Sequence, residues 1–183
     1  LQFPEAPTKA APSAPERGPL EGYALPRFEV PASPERLERP ARPSTFFDAV
    51  GDRSFLCGTE DGGWEAWVWP LQVLHDARLS FRPEKALEGF DLHRTASRIR
   101  VDPDRTTIRY LQAQIEVEAT FLAPDGEPAI LILLAVDVDA PGTLSLSFAP
   151  KLQPQWPAAL GGVAASFDSA LGAFVISEPS ARF

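Results

Sequence analysis

The 183-residue chain contains no methionine, only one cysteine and only two histidines. Cys57 has no second cysteine with which to form an internal disulfide, and its place between Leu56 and Gly58 predicts a small buried side chain rather than a reactive thiol. His75 and His93 are far apart in the sequence, and neither belongs to an HxxxH or CxxC pattern, which argues against a metal cluster. We therefore expect no metal site and no cofactor.

The chain also lacks a basic patch and a long apolar run. Its net charge is −8 and its pI is near 4.8, whereas a nucleic-acid surface needs clustered lysine and arginine, so we expect no nucleic-acid partner. The longest apolar run covers residues 129–136, far short of the roughly 20 residues that a membrane-spanning helix needs, so we expect no membrane contact. A hydrophobic content of 44% is ample for the core of one domain.

Residues 1–43 differ in composition from the rest of the chain, because they hold ten of the twenty prolines. Proline fixes φ and removes a backbone donor, so this leader is predicted to be an irregular linker or a strap lying on the domain. The domain itself is predicted over residues 44–183. The chain begins with leucine, and this start, together with the Pro/Ala-rich leader, predicts a processed protein that is exported to the periplasm or the medium.

From residue 44 onward, short alternating strands are separated by turn signals, and helical periodicity is scarce. Segments 54–59 and 64–70 flank the Glu-Asp-Gly-Gly turn at 60–63 and predict a β-hairpin. The run 129–138 is apolar on both faces, which predicts a central strand. Only residues 83–89 offer a weak helix. Further strands are predicted over 72–81, 97–101, 106–111, 114–123, 143–149, 164–167 and 173–177. Alternation in 72–81 predicts one face with Val73, His75, Ala77, Leu79 and Phe81. Alternation in 114–123 predicts one face with Ile115, Val117, Ala119 and Phe121. The pattern favours an all-β fold, an antiparallel β-sandwich.

The strand after the acidic turn carries three of the four tryptophans. With a period of two, Trp64 and Ala66 share one face, whereas Glu65, Trp67 and Trp69 share the other. Both faces therefore carry large rings. Such a strand either lies between two layers or exposes rings to a flat partner such as a sugar.

No complete catalytic set is visible. Glu60, Asp61 and Glu65 lie close together, as the carboxylate pairs of glycosidases do, but a hairpin turn demands the same residue types, and we favour that interpretation. His75 and Asp76 resemble an acid–base pair, yet no nucleophile elbow accompanies them, so a structural role is favoured. No catalytic residue is assigned, and the residues themselves indicate a binding or scaffolding domain.

Several stretches of the chain resemble one bacterial family, proteins similar to glycogen debranching enzymes of the amylo-α-1,6-glucosidase type. The resemblance covers roughly residues 45–180 and excludes the leader. Its matching stretches are GTEDGGWEAWVWPL at 58–71, LHD at 74–76, TTI at 106–108, EATFLAP at 118–124 and PKLQPQWP at 150–157.

In that family, an N-terminal β-sandwich of the supersandwich type precedes an (α/α)6 toroid, the six-hairpin glycosidase architecture, which holds the catalytic carboxylates. The resemblance implies that this chain is the non-catalytic sandwich domain of a glycoside hydrolase. Its implied partners are the toroid, in the same or a larger polypeptide, and an oligo- or polysaccharide. Loops of the sandwich would edge the sugar cleft, and Glu65, Trp67 and Trp156 are the candidate sugar or interface residues.

Two other functions stay open. A stand-alone carbohydrate-binding module requires exposed, coplanar aromatic rings on one face, and replacing Trp67 or Trp156 would then weaken sugar binding without unfolding the domain. A structural or partner-binding sandwich could use residues 1–43 as an extended docking strap. The scaffold hypothesis, in contrast, predicts a hydrophobic surface that stays uncovered when the toroid is missing.

Overall fold

A computed structural model describes residues 31–113, 115–154 and 163–178. In this part of the chain, antiparallel strands are joined by turns and one 3₁₀ segment, Leu92–Thr95, and there is no α-helix. The expected all-β class is therefore confirmed, and the weak helix over 83–89 is wrong. The strands are β1 Leu37–Pro40, β2 Phe46–Val50, β3 Ser54–Thr59, β4 Trp64–Val68, β5 Leu71–Pro83, β6 Phe90–Asp91, β7 Ala96–Asp102, β8 Arg105–Gln112, β9 Ile115–Leu122, β10 Leu131–Val138, β11 Gly142–Pro154, β12 Ala164–Asp168 and β13 Ala173–Ser177.

The strands form two main sheets and a separate hairpin. Sheet A has the order β1-β7-β8-β9-β10, and sheet B has the order β11-β5-β4-β3-β2 with β6 beside β5. Among the described strands, β12 and β13 pair only with each other. All pairings are antiparallel, because tight turns connect most neighbours directly.

The core lies between the two sheets. Phe121 of sheet A meets two rings of sheet B, Phe47 at 5.2 Å and Trp64 at 5.6 Å between ring centroids. The predicted alternation of β9 is confirmed, because each inward residue is buried. These inward residues are Ile115, Val117, Ala119 and Phe121.

Strand β4 lies inside sheet B between β3 and β5. The two inward side chains, Trp64 and Ala66, are buried, whereas Trp69 just after the strand is 71% exposed. Glu65 and Trp67 are half-buried on the opposite face. The predicted division of the two faces is confirmed for Trp64, Ala66, Glu65 and Trp67, whereas Trp69 lies in the turn after the strand. One of the three rings fills the core, and the other two lie outside it.

Strand β10 lies at the edge of sheet A, so its prediction as a central strand is wrong. Within the described residues it pairs with β9 alone, and the chain then crosses from sheet A to sheet B before β11 begins. An apolar pattern on both faces of a strand indicates that both faces are covered by apolar surface. It does not distinguish a central strand from an edge strand that packs against another domain or protein. Several apolar side chains of β10 are exposed to solvent.

Strand β5 departs from the predicted alternation at a bulge. Trp64 pairs with Ala77 and Ala66 pairs with Leu74, so two residues, His75 and Asp76, stand opposite one residue of β4. Asp76 has φ 52°, a left-handed conformation that aspartate tolerates better than most residues. As a result Leu74 packs on the core. The prediction that His75 shares the face of Ala77 is therefore wrong.

The part of the leader that the structure describes is fixed to the sandwich. Strand β1 pairs with β7 at the edge of sheet A, and the carboxylate of Glu60, which is fully buried, joins this strap to the β3–β4 turn. It accepts hydrogen bonds from both terminal guanidinium nitrogens of Arg39 and from the backbone N–H of Arg42 at 2.7 Å. The strap expected for the leader is thus an edge strand over part of its length.

Candidate functional site

The outer face of sheet B is its surface turned away from the core. Strand alternation places large and polar side chains there together, because their chain neighbours Phe47, Leu56 and Trp64 point inward. Cross-strand pairing arranges them in rows. The outer face consists of Phe46, Asp48, Val50, Phe55, Cys57, Thr59, Glu65, Trp67 and Gln72.

Trp67 and Glu65, two of the predicted site residues, lie side by side on this face. The Trp67 ring stacks on Phe55 with centroids 5.7 Å apart and planes within 3° of parallel, because the two residues are directly opposite on β3 and β4. The indole N–H of Trp67 donates to Glu65 Oε1 at 2.9 Å. The amide of Gln72 donates to Glu65 Oε2 at 2.8 Å. The Glu65 carboxylate therefore holds an aromatic and an amide side chain in place.

Cys57 also belongs to this cluster. It is half-buried on the outer face rather than in the core, so its prediction as a buried hydrophobic side chain is wrong. The register pairs it with Glu65, and its thiol donates to Glu65 Oε1 at 3.6 Å. Burial first, and then the Glu65 carboxylate, raise the pKa of Cys57 to about 11. The thiol therefore stays protonated at neutral pH, which disfavours a nucleophilic role.

A shallow groove of about 500 Å³ runs along the outer face beside this cluster. Phe46, which is 80% exposed, stands on one wall, and His75 and Asp76 stand on the other. Arg78 Nε donates a hydrogen bond to Asp76 Oδ1 at 2.8 Å. Arg78 Nη2 forms a salt bridge with the same oxygen at 2.8 Å. The bulge in β5 brings these residues to the groove, because regular alternation would have turned His75 inward.

A second feature lies where β10 and β11 end the two sheets, and we call it the open side. Its side chains point toward the core, since Leu134 pairs with Ala119 and Leu146 pairs with Leu79, both of which are buried. Even so, Leu134 is 39% exposed and Leu146 is 45% exposed. The open side consists of Leu134, Val136, Val138, Leu146 and Phe148.

The remaining candidates do not form a catalytic group. Glu60 is fully buried in its ion pair with Arg39, and Asp61 accepts the backbone N–H of Ser44 at 2.8 Å, so both serve the turn. Trp156 lies outside the described residues. Within residues 31–113, 115–154 and 163–178, no group of three or more histidine, cysteine, aspartate or glutamate side chains is arranged to hold a metal ion. No helix of this described part could span a membrane.

Sequence reasoning missed Phe46, Phe55 and Gln72 as members of the site. For Phe55 the predicted hairpin is one residue out of register. Its turn at 60–63 would place Phe55 opposite Val68, whereas the structure pairs Gly58 with Trp64 and Phe55 with Trp67. Phe46 and Gln72 depend on pairings of β2 and β5 that no local pattern specifies.

The chain has no counterpart in the comparisons with known proteins. No protein-family model, no curated protein and no solved structure matches it. The resemblance to the debranching-type proteins therefore stays an expectation from the sequence, and the geometry of the outer face and the open side is the independent ground for a functional conclusion.

Proposed function

We propose that this chain is a non-catalytic β-sandwich domain that scaffolds the catalytic body of a carbohydrate-active, glycogen-debranching-like protein and edges its sugar cleft. The open side carries the proposal. Residues that the strand register directs inward, such as Leu134 and Leu146, keep about two fifths of their surface exposed. Exposed apolar surface that is contiguous marks an interaction site in a soluble protein.

The resemblance implies that the partner is an (α/α)6 toroid. We propose that this toroid packs against the open side. The absence of a catalytic arrangement among the described residues agrees with a scaffolding role, because the carboxylates of the acidic turn are engaged in structure. Glu65 and Trp67 lie on a different surface from the open side and would form the cleft edge in this assembly.

The test compares this chain with the native protein from its source. An antibody against the chain should isolate a polypeptide or a stable complex much larger than 19.9 kDa that releases glucose from a branched α-glucan, whereas the purified chain should release none. A native species of 19.9 kDa that elutes alone, or robust turnover by the chain itself, would refute the proposal.

Substitutions test the open side directly. Val136→Glu and Leu146→Glu should weaken the native assembly, because each places a charge in the apolar contact. Leu87→Glu is the matched control, since Leu87 is fully exposed in the turn after β5. Equal behaviour of all three variants in the native assembly would contradict the assignment of the open side.

A further inference from the structure

We propose that the outer face of sheet B binds a pyranose ring of a neutral glycan, with Trp67 and Phe55 as the platform and Glu65 as the positioning residue. The binding surface follows from the geometry of the outer face. The choice of a glycan as ligand class rests on the carbohydrate role proposed above. The site is separate from the open side, so binding would require no catalytic body.

The platform is apolar and partly accessible. The rings of Trp67 and Phe55 stack on each other with centroids 5.7 Å apart, so each covers part of one face of the other. Both residues are half-buried, and the outward surface of this stacked pair is the part that a ligand can contact. Phe46 adds a strongly exposed ring on the same face, and Trp69, in the turn after β4, is strongly exposed as well. The C–H groups on one face of a pyranose ring pack well against such aromatic surfaces, which carry partial negative charge.

The platform is held before a ligand arrives. Glu65 accepts from the indole of Trp67 at 2.9 Å and from the amide of Gln72 at 2.8 Å. A carboxylate with two such bonds fixes both side chains in one rotamer, and preorganisation lowers the entropy that binding must overcome. Because the indole N–H is already satisfied, Trp67 presents only its ring to a ligand.

Polar groups for sugar hydroxyls lie next to the rings. Gln72 keeps its amide oxygen as an acceptor, because its nitrogen is the atom bonded to Glu65. Asp48 stands opposite Cys57 in the row between the exposed Phe46 and the Trp67 platform. A ring that stacks on the platform therefore has hydroxyl partners on the strands around it, the usual combination of apolar surface with a few oriented polar groups.

The charge of the surface selects against anionic ligands. Asp48 and Glu65 are carboxylates, and Arg78, which contacts the groove residue Asp76, is already engaged in ion pairs with Asp76 and Asp91. Phosphate groups and acidic sugars would meet uncompensated repulsion here. A neutral, hydroxyl-rich ring remains as the ligand that matches both the aromatic surface and the carboxylates.

The first experiment titrates the purified chain with maltotriose and with cellotriose, observed by calorimetry and by the indole N–H signals in NMR. We expect saturable millimolar binding of at least one trisaccharide and a shift of the Trp67 indole signal, which Trp67→Phe identifies. Trp67→Ala should weaken binding tenfold or more, whereas the control Leu87→Ser should leave the affinity unchanged.

Glu65→Gln tests the positioning role. One carboxylate oxygen of Glu65 accepts from Trp67 and Cys57 and the other accepts from Gln72. Glutamine replaces one of these oxygens by an NH2 group, so one side loses its acceptor, and the affinity should fall severalfold while the folded spectrum is kept. If Trp67→Ala fails to fold, Trp67→Phe takes its place and should weaken binding less than tenfold. Unchanged affinity in both Trp67→Phe and Glu65→Gln would overturn the assignment.

The outcomes separate this inference from the scaffold proposal. Absence of saturable trisaccharide binding by the folded chain overturns the glycan site, even if the native protein proves to be a large glucan-cleaving assembly. In that case a protein surface covers the outer face, and Trp67→Ala should disrupt the assembly instead. Trisaccharide binding by a native protein of 19.9 kDa would support the glycan site and refute the scaffold.

Discussion

Replacing Glu60 with alanine should cost the fold about 2–4 kcal/mol, from the loss of a buried, charge-assisted network. Hydrogen bonds to charged groups contribute about 1.5–3 kcal/mol each, and Glu60 accepts three of them, from Arg39 and from the N–H of Arg42. The sum is an upper bound, because the Arg39 side chain is 34% exposed and recovers hydration when its partner is removed. The variant loses the contact that fixes β1 to the β3–β4 turn.

Urea unfolding followed by tryptophan fluorescence measures this loss, and a double-mutant cycle separates the pair from its surroundings. Arg39→Ala leaves the Glu60 carboxylate buried with a single N–H partner, so it should be destabilising as well. The double variant should lose at least about 1 kcal/mol less than the sum of the two single losses, because the partners are coupled. Glu84→Ala, at an exposed position, should cost less than about 0.5 kcal/mol. A Glu60→Ala loss as small as that of Glu84→Ala, or additive losses in the cycle, would refute the reasoning.

Three further outcomes are expected. Phe121→Ala removes the ring that joins the two sheets and should cost about 3–5 kcal/mol in urea unfolding; a loss near 1 kcal/mol would contradict the described core. Burial keeps the pKa of His93 below its usual value. Below about pH 6.5 the unfolded chain therefore binds a proton at this histidine that the folded chain does not bind. The free energy of unfolding should then fall by up to about 1.4 kcal/mol per pH unit as the pH drops. His93→Gln should flatten this slope, and an equal flattening by the control His75→Gln would count against it. Cys57, with its pKa raised to about 11, should react with iodoacetamide at pH 8 at least about tenfold more slowly in the folded chain than in the urea-unfolded chain. Glu65→Gln should speed the reaction of the folded chain, and equal rates with and without this substitution would contradict the Cys57–Glu65 contact.

Local patterns predicted the parts of this fold that local physics determines. The Glu-Asp-Gly-Gly turn fixes the β3–β4 hairpin, and its close packing requires glycine, since a Cβ on Gly58 would lie 2.7 Å from the carbonyl oxygen of Gly63. Alternation along β9 directly predicted its buried face, because side chains of a strand have a strict period of two.

The errors share a physical cause, which is that the sequence does not say what lies beside a strand. Apolar residues on both faces of β10 suit a central strand and an edge that meets another body equally well. The bulge at His75 and Asp76 depends on the pairing of β5 with β4 and β11, and no residue type in that stretch announces it.

The candidate site was predictable in part. Glu65 and Trp67 followed from the alternation of one strand, and their position on a single outer face agrees with the structure. The role of Glu65 in holding Trp67 and Gln72 did not follow, because it depends on the neighbouring strand β5 and on side-chain conformations.

The strand order of sheet A separates the edge at β1 from the open side at β10. Strand β1 occupies one edge and β10 the other, with three strands between them, so their axes lie roughly 19 Å apart at the usual spacing between strands. A label attached to β1 itself, at the exposed Leu37, would therefore lie on the flank remote from the open side. Labels for measuring assembly can be introduced there without competing with the partner whose docking they report.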